Sequence, residues 1–136
     1  MTSSFAKQIA EIEAGRSEPC LRVGNLDARR DITDVRDTVR AYAALGEAGV
    51  DGAAYNVCTG MAYRIGDLLE IMLQRAKKHV SVVMDPARLR PSDNPVVLGD
   101  PSRLRRETGW SPAIPIERTL EDLLDWWRGE IARRPS

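Results

Sequence analysis

The chain is poor in the residues that carry most protein chemistry. In 136 residues it has one histidine, two cysteines, one phenylalanine, three tyrosines and three tryptophans. Two cysteines cannot make a disulfide framework, and a metal centre would need more ligands; Cys20 and Cys58, each in an apolar stretch, read as buried free thiols. His79 follows Lys77 and Lys78 near an expected helix end. With no nucleophile motif beside it, it reads as a surface cation, not a catalytic base. No run is long and apolar enough to span a bilayer. Met1 to Ile9 lacks the basic-then-apolar pattern of a secretory leader, so a cytoplasmic location is expected. Twenty Lys and Arg balance twenty Asp and Glu, so no global field draws the protein to nucleic acid or to an anionic membrane. Any anion site must therefore come from local arginines. Two further absences concern redox chemistry. There is no glycine-rich fingerprint to cradle a dinucleotide pyrophosphate. Tyr42, Tyr55 and Tyr63 are followed four residues on by Gly46, Thr59 and Asp67, never by lysine, so no ammonium lowers a phenol pKa for proton transfer. The chain is expected to bind no cofactor and to catalyse nothing alone.

What is present reads as one globular domain over residues 1–136: 43% hydrophobic and 29% charged residues are ordinary values. Phe5, Ile9 and Ile12 lie on one face of a first helix that Ser3 or Ser4 caps and Gly15 ends. Leu21 and Val23 alternate with Arg22 as in a short strand. A second helix opens at Thr33 or Asp34, carries Val35, Val39, Tyr42 and Leu45 as its apolar stripe, and ends by Gly46 and Gly49. Ala53 to Cys58 reads as an interior strand, apolar on both faces apart from Asn56. A third helix runs from about Ile65 to Lys78, and Val80 to Met84 is a strand. Pro86, Pro91 and Pro95 keep Asp85 to Asp100 a loop, with a short strand at Val96 to Leu98. Ser102 to Thr108 is a short helix ended by Gly109. The last helix begins near Pro115 with Ile116, Leu120, Leu123, Leu124, Trp127 and Ile131 inward. The fold class is α+β: helices packed on short strands, without a dinucleotide-binding half.

The densest segment runs from Val23 through Gly24, Asn25, Leu26, Asp27, Ala28, Arg29, Arg30 and Asp31 to Asp37. Arginine suits diphosphate, since its guanidinium is always charged and offers a fork of donors. Arg30 precedes a capped helix start, where backbone N–H groups also favour anions. Arg90 sits in the proline-stiffened loop, and Asp93, three residues on, can accept hydrogen bonds from sugar hydroxyls. Two arginines from separate segments can clamp one diphosphate. The plainer alternative, that these are solvated surface charges, is left open by charge and spacing alone. Arg103, Arg105 and Arg106 read as a solvated helix face.

Four stretches, in order, resemble the C-terminal half of the nucleotide-sugar enzymes of the extended short-chain dehydrogenase/reductase (NAD-dependent epimerase/dehydratase) family. They are Ser3 to Ala10; Val23 to Asp37; Tyr55-Asn56-Val57-Cys58-Thr59-Gly60 with Ile65-Gly66-Asp67-Leu68-Leu69; and Arg90-Pro91-Ser92-Asp93 through Gly99-Asp100 to Glu107-Thr108-Gly109-Trp110-Ser111-Pro112. Asn25 to Asp31 looks most like the GDP-mannose branch of dehydratases and reductases, and Ile32-Thr33-Asp34 tilts it to the reductases. The resemblance implies that Arg30 and Arg90 hold a diphosphate, that Asp93 binds the ribose, and that Leu21, Val23, Asn25 and Gln8 line the nucleotide pocket. The implied ligand is a nucleotide-diphosphate sugar, GDP-sugar favoured. NAD(P) belongs to the parent enzymes and is supplied here, if at all, by a cofactor domain in trans. An exposed apolar strand edge tends to find another chain, so a homo-oligomer is expected. The alternative is a stand-alone, non-catalytic binding or oligomerisation module.

Overall fold

The computed structural model describes residues 1–89 and 94–133 and has the expected α+β character. The chain divides into two compact units, 1–28 with 64–95 and 117–136, and 29–63 with 96–116. No helix among the described residues is long and apolar enough to cross a membrane.

The first unit holds α1 (Thr2–Glu13), β1 (Cys20–Val23), α3 (Ile65–Gln74), β4 (Ser81–Met84) and nearly all of α5 (Ile116–Arg133). β1 and β4 pair in parallel, from Cys20 beside Ser81 to Val23 beside Met84. Leu21 and Val23 are fully buried while Arg22 faces out, the alternation expected of a half-buried strand. Phe5, Ile9 and Ile12 of α1, Leu68, Leu69 and Met72 of α3, and Leu120, Leu124 and Ile131 of α5 complete the buried set. α1 starts at Thr2 without a side-chain cap. Ser3 instead accepts the Trp127 indole N–H at 3.0 Å. α3 stops at Gln74, four residues short of the expected Lys78, because α1 captures the chain beyond it. The Glu13 carboxylate accepts Lys77 N–H at 2.8 Å, and the Lys78 ammonium reaches the Ile12 carbonyl at 3.3 Å.

The second unit holds β2 (Arg29–Asp31), α2 (Val35–Ala48), the first two residues of β3 (Ala62–Arg64), β5 (Val96–Val97) and α4 (Ser102–Thr108). β2 is the central strand of a three-stranded sheet, with order β3-β2-β5. It runs parallel to β5, with Arg29 beside Val96 and Arg30 beside Val97. Asp34 is the N-cap of α2; its Oδ1 accepts Arg36 N–H at 2.8 Å. The helix passes through Gly46 and ends at Gly49.

Two expectations fail in this unit. The apolar stripe of α2 points the wrong way: Val35, Val39 and Tyr42 are 70%, 59% and 63% exposed. The buried face carries Asp37 and Ala41, and Ala41 packs with Leu104 and Trp110, flanked by Ala44, Leu45, Tyr55 and Val57. A buried, fully bonded carboxylate outweighs three exposed apolar side chains in fixing the helix's rotation. Residues 53–58 are not a strand. Their polar groups go to side-chain partners instead of a ladder: Arg103 donates to the Ala54 carbonyl at 3.3 Å, and the Asn56 amide donates to the Asp100 carbonyl at 3.3 Å.

Candidate functional site

The sequence-nominated residues fall in both units. In the first, Gln8 of α1 is bonded to the backbone of β1. Its Oε1 accepts Arg22 N–H at 3.0 Å and its Nε2 donates to the Arg22 carbonyl at 3.4 Å. It thereby fixes β1 between Leu21 and Val23. Both of those side chains are fully buried, so they shape a wall from behind instead of offering a free surface. Asn25 is exposed, and its Oδ1 accepts Asp27 N–H at 2.9 Å, closing the turn after β1. Gln8, Leu21, Val23 and Asn25 are therefore one local assembly around β1.

In the second unit, Arg30 is half-buried on β2, and its guanidinium donates to the Arg29 carbonyl at 2.7 Å. Arg90 and Asp93 lie outside the described residues.

Sequence reasoning gave Asp31 no role of its own. Side chains alternate along a strand, so Asp31 faces away from Arg30. Its Oδ1 accepts Thr59 N–H at 2.9 Å and the Thr59 hydroxyl at 2.6 Å, and its Oδ2 accepts Gly60 N–H at 2.9 Å. Gly60 has φ +78°, a left-handed turn that glycine permits. Arg105 locks the turn from the other side by donating to the Thr59 carbonyl at 2.7 Å, so it is not a merely solvated charge. Beneath the turn, Cys58 lies so close to Gly99 that a Cβ there would stand 2.5 Å from its Sγ. Burial, and then the Asp31 carboxylate, push the Cys58 thiol up, so it is held protonated. The available signals were the period-2 alternation of β2 and the Thr-Gly pair at 59–60. Asp31→Ala removes three hydrogen bonds to a carboxylate. It is expected to cost about 2 kcal/mol and to speed hydrogen exchange at Thr59 and Gly60 ahead of the rest of the unit. Unchanged protection there would contradict the anchor.

A second polar cluster backs α4. The Tyr55 hydroxyl donates to Glu107 at 2.5 Å and accepts Val50 N–H at 3.0 Å, and the Arg103 guanidinium stacks 4.7 Å from the Tyr55 ring centre. The Tyr55 hydrogen bond, helped by Arg103, holds the Glu107 carboxyl below its usual range despite some desolvation.

Neither helix that follows a strand leaves its N-terminus open to an anion. At α2 the Asp34 carboxylate already supplies the negative charge and binds Arg36 through Oδ1 at 2.9 Å and Oδ2 at 2.8 Å. At α3, Ile65 N–H donates to the Ala28 carbonyl at 3.0 Å and Gly66 N–H to the Leu26 carbonyl at 2.9 Å. The expected help to Arg30 from the α2 amides is therefore absent. A dinucleotide pyrophosphate, which needs a glycine turn and open amides at such an end, does not fit either helix.

Comparison with known proteins agrees with this architecture. The family model described as GDP-mannose 4,6 dehydratase matches residues 1–123. GDP-6-deoxy-D-mannose reductase of Pseudomonas aeruginosa is 38% identical over 129 residues, which are 95% of this chain and 42% of that protein. GDP-mannose 4,6-dehydratase of Vibrio cholerae serotype O1 is 26% identical over 91% of this chain and 40% of its own length. The solved structure of RMD from Pseudomonas aeruginosa complexed with NADPH superposes with a TM-score of 0.88 at 36% identity. That match covers 95% of this chain and 42% of the solved one. The chain thus spans about two-fifths of the length of these relatives and corresponds to a subdomain of them. With a family match over nine-tenths of its length and a shared fold, the chain belongs to the GDP-mannose 4,6 dehydratase family of nucleotide-sugar enzymes.

Proposed function

We propose that this chain is the substrate-binding portion of an NAD(P)-dependent nucleotide-sugar dehydratase, reductase or epimerase, and that its ligand is a nucleotide-diphosphate sugar, with GDP-sugars favoured. In this reading the two units serve one ligand. Arg30 and Arg90 hold the diphosphate, Asp93 takes the ribose hydroxyls, and Asn25, with Gln8, Leu21 and Val23 behind it, lines the nucleotide end. The observation that carries the reading is the parallel pairing of Arg30 with Val97. It puts an arginine beside the strand that directly continues the Arg90–Asp93 segment. The P. aeruginosa and V. cholerae relatives, whose names specify GDP-sugars, support the choice of base. The chain does not catalyse alone: hydride transfer needs a cofactor-binding partner, in a cytoplasmic setting.

The test is calorimetric titration with GDP-mannose, GDP and UDP-glucose. Saturable binding that prefers the GDP ligands is expected. Arg30→Ala and Arg90→Ala should each weaken it by about 1.5–3 kcal/mol, the range for a hydrogen bond to a charged group. Unchanged binding in both variants would remove the clamp.

A second reading has its own observation. The Val35, Val39 and Tyr42 stripe is too apolar to be left in water without consequence. It supports an assembly role, in which a second copy or a cofactor-binding partner covers α2. Light scattering on the titration sample separates a monomer from a homo-oligomer.

A further inference from the structure

Gly24 is not explained by its backbone, because it is not among the glycines with positive φ. It is explained by what lies against it. A Cβ at Gly24 would fall onto the Arg88 carbonyl oxygen, 3.0 Å from the carbonyl carbon and 3.3 Å from the Arg88 Cβ. The chain after β4 is folded tightly onto the end of β1 at this point. Asp85 N–H donates to the Val23 carbonyl at 2.8 Å, which extends the β1–β4 ladder by one bond. The Asp85 carboxylate then accepts Ala87 N–H at 3.0 Å and lies 3.4 Å from the Arg88 guanidinium. Pro86 sets the first position of the 3₁₀ turn Pro86–Arg88, and Leu89 N–H closes on the Pro86 carbonyl at 3.1 Å. Every hydrogen bond of this strap is local except the one to Val23, and its only steric stop is the bare backbone of Gly24. The next residue in sequence is Arg90.

We propose that Gly24 is a positioning residue for the diphosphate. Its missing side chain lets the Asp85–Leu89 strap seat against β1, and that seating fixes where the Arg90-x-x-Asp93 segment departs. This rests on the nucleotide-sugar reading above and adds the residue that sets diphosphate selectivity within it. A methyl group at position 24 must push the Arg88 carbonyl away, since neither contacting group is the far end of a flexible side chain. The displacement passes to Arg90 through a single intervening residue. Asn25 and the buried wall of β1 are left in place, so the nucleoside end of the ligand is not disturbed.

The test compares GDP with GMP by calorimetry in wild type, Arg90→Ala and Gly24→Ala, with thermal melts of each. The wild type should favour GDP. Gly24→Ala should lower the GDP-over-GMP ratio by about tenfold, as Arg90→Ala does, with GMP affinity unchanged. A role confined to stability would lower the melting temperature and leave the ratio alone. Pro86→Gly, which loosens the strap from its exposed side without touching β1, guards against a misfolded Gly24 variant and should move the ratio in the same direction. A retained ratio in Gly24→Ala and Pro86→Gly, alongside a lowered one in Arg90→Ala, overturns the positioning role alone. A wild type that binds neither nucleotide overturns the nucleotide-sugar reading and this inference with it.

Discussion

Replacing Asp37 by alanine should be among the most damaging single changes in this chain, costing about 3–5 kcal/mol. Asp37 is 0% exposed, and each of its oxygens is committed. Oδ2 accepts Ala113 N–H and Ile114 N–H, both at 3.0 Å, and Oδ1 is paired with Arg40. Its main-chain carbonyl accepts the Trp110 indole N–H at 3.0 Å. One residue therefore joins α2 to the whole turn between α4 and α5. Alanine would leave two N–H groups and the Arg40 charge without their acceptor, next to the small core of Ala41, Leu104 and Trp110. A chain of this length loses roughly 3 °C of melting temperature per kcal/mol, so a drop of about 10 °C is expected. Urea titration followed by tryptophan emission measures it directly. Asp37→Asn keeps one carbonyl oxygen but loses the charge, and should fall between wild type and alanine. A loss below about 1 kcal/mol for Asp37→Ala, the worth of one ordinary hydrogen bond, would mean that this carboxylate does not hold the 110–114 segment.

The second large effect is expected at Glu13 and Arg128 in the first unit. Arg128 donates to Glu13 through Nε and Nη2, each at 2.7 Å, and also reaches the Arg75 carbonyl at 2.9 Å and Asp125 at 2.8 Å. The pair ties together the C-terminal ends of α1 and α3 and the middle of α5, with the Glu13 and Arg128 side chains 8% and 20% exposed. Burial pushes the Glu13 carboxyl up. The Arg128 hydrogen bonds, the Lys77 N–H and the Arg128 charge outweigh burial and hold it below its ordinary value. The Glu13 hydrogen bond likewise raises the Arg128 guanidinium against its own desolvation. Removing either partner leaves the other charge stranded, at a cost of about 3 kcal/mol. A depressed carboxyl pKa contributes stability that is complete above the unfolded value, about 4.3, and is lost as pH falls through the lower folded value. Wild-type stability should therefore decline below about pH 4.5, and Glu13→Gln should flatten part of that decline. Equal acid slopes for the two proteins would show that Glu13 titrates as it does in the unfolded chain.

Where hydrophobic side chains decide the packing, the sequence was enough to read the structure. The i, i+4, i+7 spacing of Phe5, Ile9 and Ile12 and the stripe through Leu120, Leu124 and Ile131 place α1 and α5 correctly, and all six side chains are buried. The alternation at Leu21 and Val23 gave β1, and Gly109, with φ +71°, ended α4 as expected. The reading failed where a polar group sets the geometry. Periodicity turned α2 by its valines, but Asp37 turns it the other way. Composition made 53–58 a strand, but a strand needs a ladder partner, and Arg103 and Asn56 bond this segment through side chains. β2 carries no apolar alternation in Arg29-Arg30-Asp31, so nothing in its composition announced the strand that presents Arg30. The nominated arginines could be picked out by chemistry. The residues that orient the site, Asp31 and Gly24, could not, because their importance lies in partners 28 and 64 positions away.

The division of the chain into two units has a consequence for how it can change over time. Three segments build the first unit and two build the second, in alternation, so the backbone passes between them four times. No single cut, gene fusion or recombination point separates one unit from the other. A half that fixes a nucleotide end and a half that presents an arginine are thus inherited as one piece. Changes of ligand in this lineage must come by substitution within the units, never by exchange of one of them.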